Sequence, residues 1–190
     1  MREAIKLKYS LIRYYYTSLF DISTKGTGTF YKPMFFEFSE DFRATQNIDN
    51  NVMLGSAMKL SINSQQTTGL ENTTYYFPAG LWCRLSGNTD HENCFQSKGQ
   101  NKVYPSGLED YQLHLREGFI VPMQNTTTKK FSTTLDLQGW PVEFHALGSL
   151  ASTGGNKWTA QGRYVNDDGL TLDLDGTVNS YTMFASFDGV

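Results

Sequence analysis

The stretch "KPMFFEFSED", Lys32–Asp41, sets Met34, Phe35, Phe36 and Phe38 beside three carboxylates, Glu37, Glu40 and Asp41. Two readings compete. The acids are either a catalytic pair in an aromatic pocket, as a sugar-cleaving enzyme needs, or the polar exit from a buried strand. The first makes the chain an enzyme by itself, and the second makes it a supporting part.

Outward from this stretch the hydrophobic period changes. On the N-terminal side, residues 2 to 22 carry Ile5, Tyr9, Ile12, Tyr16, Leu19 and Phe20 at the 3.6-residue spacing of one amphipathic helix, with Gly26 free to take a left-handed cap. From residue 29 onward the period is two. "TFYKPMFFEF" (29–38), "AMKLSI" (57–62), "TTYYFPA" (73–79), "LWCRL" (81–85) and "YQLHLREGFIVPMQ" (111–124) read as strands between polar turns. The polar bridge "NTTTKK" (125–130) is a boundary between two β modules. Beyond it, "PVEFHAL" places Val142, Phe144 and Ala146 on one face and Glu143 and His145 on the other. "SYTMFASF" does the same with Tyr181, Met183, Ala185 and Phe187, and Asp168-Gly169 and Asp175-Gly176 mark hairpin turns between the two. One helix followed by many short strands implies a mainly β chain with sheet packed on sheet.

Net charge of -3 and a pI near 5.6 argue against a nucleic-acid partner, because no basic stripe is present to displace phosphate counterions. Sugars and other proteins remain as partners. No apolar run is long enough to span a bilayer, and "MREAIKLKYS" lacks the apolar core of a signal peptide. Yet "NTT" at Asn72 and again at Asn125 is an N-glycosylation pattern. Cys83 and Cys94 flank a polar loop that can bring them together as a disulfide, the alternative being two thiols. Export features without an export signal suggest a missing N-terminal region, with a lysosomal, vacuolar or extracellular location on the secretory route.

Tests for chemistry are mostly negative. "NDDGLTLDLDG" has Leu170 and Leu172 where a calcium loop needs oxygens, and no G-x-S-x-G elbow is present. His91, His114 and His145 are far apart without zinc spacing, and exposed positions on strands explain the latter two. "KGTGT" has too few glycines for a phosphate loop. No catalytic, metal or cofactor residue is predicted. Trp82, Trp140 and Trp158 are candidate stacking platforms for a sugar ring, against core packing as the alternative.

Five segments in order resemble the C-terminal region of glycoside hydrolase family 31, the α-glucosidase, maltase and glucosidase II type. "LKYSLIRYYYTSLF" resembles R-Y-x-L-L-P-Y-L-Y-T-L-F, and "KPMFFEFSED" resembles R-P-L-F-F-E-F-P-x-D. "IDNNVMLGSAMKLS" is similar to D-x-Q-F-M-L-G-P-A-L-L-V-S-P, "YYFPAGLWCRLSG" to Y-F-P-x-G-x-W-Y-D-x-x-T-G, and "LHLREGFIVPMQ" to L-H-V-R-G-G-x-I-L-P-x-Q. The resemblance covers residues 2 to 124 strongly and 125 to 190 weakly. Arg13 and Ile62 stand where the family has Pro, and Lys32 where it has Arg.

The resemblance implies a last barrel helix and connector at 1–25, a proximal β-sandwich at 26–124 and an incomplete distal β domain at 125–190. It also implies a retaining α-glycosidase whose two catalytic aspartates lie in W-x-D-M-N-E-like and G-D-N-like motifs of the preceding barrel. Neither motif occurs here. The expected role is therefore a non-catalytic region that braces a barrel or another chain covering the helix. The rivals are a stand-alone glycan-binding or assembly module, and autonomous hydrolysis by Glu37, Glu40 or Asp41.

Overall fold

The computed structural model describes residues 2–46, 48–63, 72–85, 91–107, 110–126, 131–150, 157–167 and 178–188. Both Asp-Gly turns and the bridge residues 127–130 lie outside these. The contacts gather residues 1–4 and 29–117 into one compact unit and residues 5–28 and 118–190 into a second.

In the first unit, β1 (Tyr31–Pro33), β2 (Asn51–Leu54), β3 (Met58–Ser61), β5 (Gly80–Leu85), β6 (His91–Ser97) and β8 (Gln112–Arg116) form a six-stranded sheet. Its order is β1-β2-β3-β8-β5-β6. A second sheet pairs β4 (Asn72–Phe77) with β7 (Gln100–Pro105). Every pairing in both is antiparallel. Apolar residues on the two sheets, Met53 and Trp82 from one and Tyr75 and Phe77 from the other, join Met34 and Ala44 in a single core. The unit is thus a β-sandwich, as the run of short alternating segments implies.

The strand expected over 29–38 ends early. After β1 the chain turns into a 3-10 helix at Met34–Phe36, where the Glu37 and Phe38 amides both donate to the Met34 carbonyl at 3.0 Å. A helical turn abolishes the two-residue alternation, so Met34 is buried while Phe36 is 62% exposed. The phenylalanines are therefore not the filling of one buried strand. Ile62, in place of the family's Pro, donates its amide to the Asn50 carbonyl at 3.0 Å, a bond proline cannot make.

The second unit opens at Ile5, within α1 (Arg2–Ser10), and continues through α2 (Ile12–Lys25), the single predicted helix being interrupted at Leu11. Gly26 takes the left-handed cap at φ 65°. The buried side chains are Leu7, Ser10, Leu11, Tyr14 and Thr17, whereas Ile5 and Leu19 of the predicted stripe are half exposed. Both sets fit a 3.6-residue period; tertiary contacts select between them. Thr17 Oγ1 accepts from the Val165 amide at 3.1 Å, and Asp21 pairs with Arg163 at 3.2 Å. Arg13 explains its own departure from the family's Pro: its Nε donates to Gln124 Oε1 at 3.3 Å, and Gln124 in turn donates its amide to the Ser10 carbonyl at 2.9 Å.

The sheet of this unit contains β9 (Phe119–Met123), β10 (Glu143–Leu147), β11 (Ser149–Leu150) and β12 (Lys157–Asn166) in the order β10-β9-β12-β11. β13 (Asn179–Asp188) also pairs with β12. The segment read as one strand over 111–124 is thus two, β8 and β9, in different sheets. They part at Glu117-Gly118, where Gly118 has φ 83°, a conformation that disfavours side chains. On β10, Phe144 is half exposed while the His145 side chain is only 10% exposed, which reverses the burial expected from their types.

Candidate functional site

The acids of the opening stretch line a surface hollow of about 730 Å³ in the first unit, with Phe38, Phe42 and Tyr76 as its aromatic wall. Each acid is positioned by a different local device. Glu37 follows the 3-10 turn, its amide bonded to the Met34 carbonyl, and its carboxylate reaches Lys32 of β1. Its Oε1 accepts from Lys32 Nζ and from Ser56 Oγ at 2.8 Å, and its Oε2 accepts from Arg116 Nη1 at 3.0 Å. Arg116 also lies over the Phe38 ring at 4.3 Å. Glu37 thus receives the partners that an inward-turned carboxylate requires.

Burial pushes the Glu37 carboxyl up. The Lys32 and Ser56 hydrogen bonds and the Lys32 and Arg116 charges outweigh it and hold the group below the ordinary carboxylate range. Such a group stays ionised and spends both oxygens on structure. It is a poor proton donor for a leaving sugar oxygen. Replacing Glu37 with Gln is expected to cost about 1–3 kcal/mol, since two charge-assisted bonds weaken and two cations lose their counter-charge. Because the native pKa is depressed, this stabilisation is present above the unfolded value of 4.5 and is lost as pH falls through the native value. Urea midpoints of wild type and Glu37→Gln across the acid range test it; equal midpoints at neutral pH would refute the assignment.

Asp41 works as a cap. Its Oδ1 accepts from the Arg43 amide at 3.0 Å at the start of the 3-10 helix Phe42–Thr45, and its Oδ2 accepts from the Tyr76 hydroxyl at 2.5 Å. Burial and the Asp41 carboxylate together raise the Tyr76 hydroxyl to about 12, so it remains a donor. Arg43 closes the group by lying 4.6 Å over the Tyr76 ring while donating to the Gly99 carbonyl at 2.9 Å. Glu40 is exposed, 3.4 Å from Ser39 Oγ. The cluster clamps a turn and does not present an acid opposite a nucleophile. Sequence reasoning missed Arg116, Ser56, Tyr76 and Arg43; the one available signal was that a carboxylate flanked by phenylalanines requires a cation from a distant strand.

The remaining predicted residues are dispersed. Trp82 is fully buried, donates Nε1 to the Pro78 carbonyl at 3.0 Å and meets Phe77 and Phe38. It is a core residue, with no ring face open to a sugar. Trp140 and Trp158 are partly exposed, and Trp140 packs edge-on against Phe131 at 5.9 Å. Cys83 and Cys94 are opposed on β5 and β6 and form a disulfide, with Cα atoms 4.0 Å apart. Asn72 is exposed at the first residue of β4, while Asn125 is half buried. His114, expected on an exposed strand position, has no exposed surface, because its face of β8 lies under β4 and β7. The side chain of His91 lies outside the described residues. No group of His, Cys, Asp and Glu suited to a metal ion occurs among the described residues.

Comparison with known proteins places this geometry. Residues 27–121 match the model described as the glycosyl hydrolase family 31 C-terminal domain. Probable maltase-glucoamylase 2 of Homo sapiens is 30% identical over 90% of this chain and 6% of its own length. Lysosomal alpha-glucosidase of Mus musculus is 31% identical over 90% of this chain and 18% of its own. Among solved structures, the glucosidase II alpha subunit has a TM-score of 0.74 at 19% identity, covering 95% of this chain and 18% of that one. A Flavobacterium johnsoniae dextranase complexed with glucose has a TM-score of 0.74 at 17% identity, covering 96% and 21%. The chain spans about a fifth or less of the length of each, and the two structures establish the shared fold.

Proposed function

Since this chain belongs to glycosyl hydrolase family 31 through a match to its C-terminal domain, we propose that it is the non-catalytic β region of an α-glucosidase-like protein and braces a catalytic barrel. The observation that carries this reading is the clamped state of the opening acids: Glu37 is neutralised by Lys32 and Arg116, and Asp41 is consumed by a cap and a tyrosine. Retaining hydrolysis needs one carboxyl free to attack and another free to donate a proton. We read 1–25 as the last barrel helix and connector, 26–124 as a proximal domain and 125–190 as a distal one. The half-exposed Ile5 and Leu19 are the surface a barrel or other chain would cover.

A place on the secretory route is supported by the Cys83–Cys94 disulfide, by the exposure of Asn72 and by the lysosomal name of the mouse relative. Among the described residues no helix is long and apolar enough to cross a membrane. Hydrolysis of O-glycosidic bonds belongs, on this reading, to the longer polypeptide. Residues 1–190 alone are expected to release no chromophore from an aryl α-glucoside, and turnover that disappears in a Glu37→Gln, Glu40→Gln, Asp41→Asn triple variant would overturn the proposal.

A further inference from the structure

The outer face of the two-stranded sheet carries a modification signal that the bracing role leaves unused. Along β4 the side chains alternate. Thr73, Tyr75 and Phe77 turn inward, where Thr73 Oγ1 donates to Ser106 Oγ at 2.7 Å and Tyr75 and Phe77 join the core. Asn72, Thr74 and Tyr76 therefore turn to the other face. Asn72 and Thr74 are exposed, whereas Tyr76 is buried, bonded to Asp41 and covered by Arg43. That cover stands roughly 13 Å along the strand from Asn72, at the rise of an extended chain. On β7, Pro105 lies opposite Asn72 and Val103 opposite Thr74, and both are exposed, Val103 by 62%. Asn72 thus heads an open face.

Residues two apart in a strand share a face, so the acceptor Asn72 and the hydroxyl of Thr74, which the glycosylation pattern sets two residues on, leave the sheet side by side. The oligosaccharide is bulky and hydrated, so the fold's part is to leave it room in water. Asn125, in the second pattern, meets different surroundings. It is half buried between Gln124 and Thr126, both buried, which tie the segment to α1. The Gln124 amide donates to the Ser10 carbonyl at 2.9 Å, and Thr126 Oγ1 donates to the Lys6 carbonyl at 3.0 Å.

We propose that Asn72 is an N-glycosylation site and that Asn125 is not, an inference that rests on the secretory-route reading. In the step, Asn72 Nδ2 attacks the anomeric carbon of the N-acetylglucosamine that ends a lipid diphosphate-linked oligosaccharide. The N–C bond forms as the bond from that carbon to the diphosphate oxygen breaks. The lipid diphosphate leaves with the electron pair, and the amide nitrogen gives up one proton to the transferring enzyme. This chain supplies the nucleophile and the Thr74 hydroxyl. The sugar then departs from the face opposite Tyr75 and Phe77, so the core packs as it does without it.

The test is expression of residues 1–190 in a eukaryotic cell behind a heterologous export signal, with treatment by peptide N-glycanase. Cells and medium are both read, so that retention does not hide the result. The wild type is expected to shift to lower mass on treatment, with residue 72 recovered as aspartate by peptide mass spectrometry. Asn72→Gln and Thr74→Val are expected to lose the shift, Thr74→Ser to keep it, and Asn125→Gln to leave it unchanged. Exposure of Asn72 and Thr74 makes these variants safe for the fold. An unshifted wild type, an undiminished shift in Asn72→Gln, or a shift lost in Asn125→Gln would each overturn the proposal. A native protein bare at Asn72, beside an exported chain modified there, would overturn the secretory-route reading while supporting the site.

Discussion

Trp82→Ala is expected to lower the stability of the first unit by about 3–5 kcal/mol, the range for removing a buried tryptophan from a packed core. Three observations place it at the upper end. Trp82 is the largest side chain with no exposed surface, it meets Phe77 at 5.8 Å and Phe38 at 6.1 Å, and it donates Nε1 to the Pro78 carbonyl at 3.0 Å. Truncation therefore opens a cavity and also removes a donor from a buried acceptor. For a chain of this size the change is a fall in Tm of about 10 °C. Trp82→Phe keeps most of the apolar contact and is expected to cost less than half as much. If the two variants melt together with the wild type, the aromatic core described above does not hold the sandwich.

Acid is expected to unfold the protein through His114. Burial first, and then the charges of Lys59, Arg84 and Lys102, lower its pKa from 6.5 to about 3. Between these values the unfolded chain takes up a proton that the folded chain refuses. Stability is thus fully present above pH 6.5 and falls as pH drops toward 3, by at most about 1.4 kcal/mol per pH unit. Lys59, also held well below its ordinary value by burial, acts in the same direction at higher pH. Urea midpoints should decline steadily below neutrality, and His114→Leu should remove most of that slope. A variant with the wild-type slope would show that the loss comes from carboxylates such as Glu37, whose contribution disappears only below 4.5.

The opening stretch shows how far one dimension reaches. Its aromatic character and the family motif around it are visible in the residues, and so is the demand that Glu37 find a partner. The identity of that partner is not, because Arg116 lies 79 residues further on and comes close only when β8 pairs beside β3 and β5. The same distinction runs through the helix. Its existence and its glycine cap follow from local pattern, whereas Leu7, Leu11 and Tyr14 are buried in preference to Ile5 and Leu19 because of what packs on them.

By itself the sequence determined the order of elements, one helical segment and then many short strands, together with the membership in family 31 and the two cysteines able to meet. These depend on period, turn residues and short motifs, which are local. Only the tertiary structure decided that "YQLHLREGFIVPMQ" divides between two sheets, that Trp82 is core and no platform, and that His114 and Lys59 are enclosed with two further basic groups. Those outcomes depend on strand register and on which faces are covered, and register couples residues that no local pattern connects.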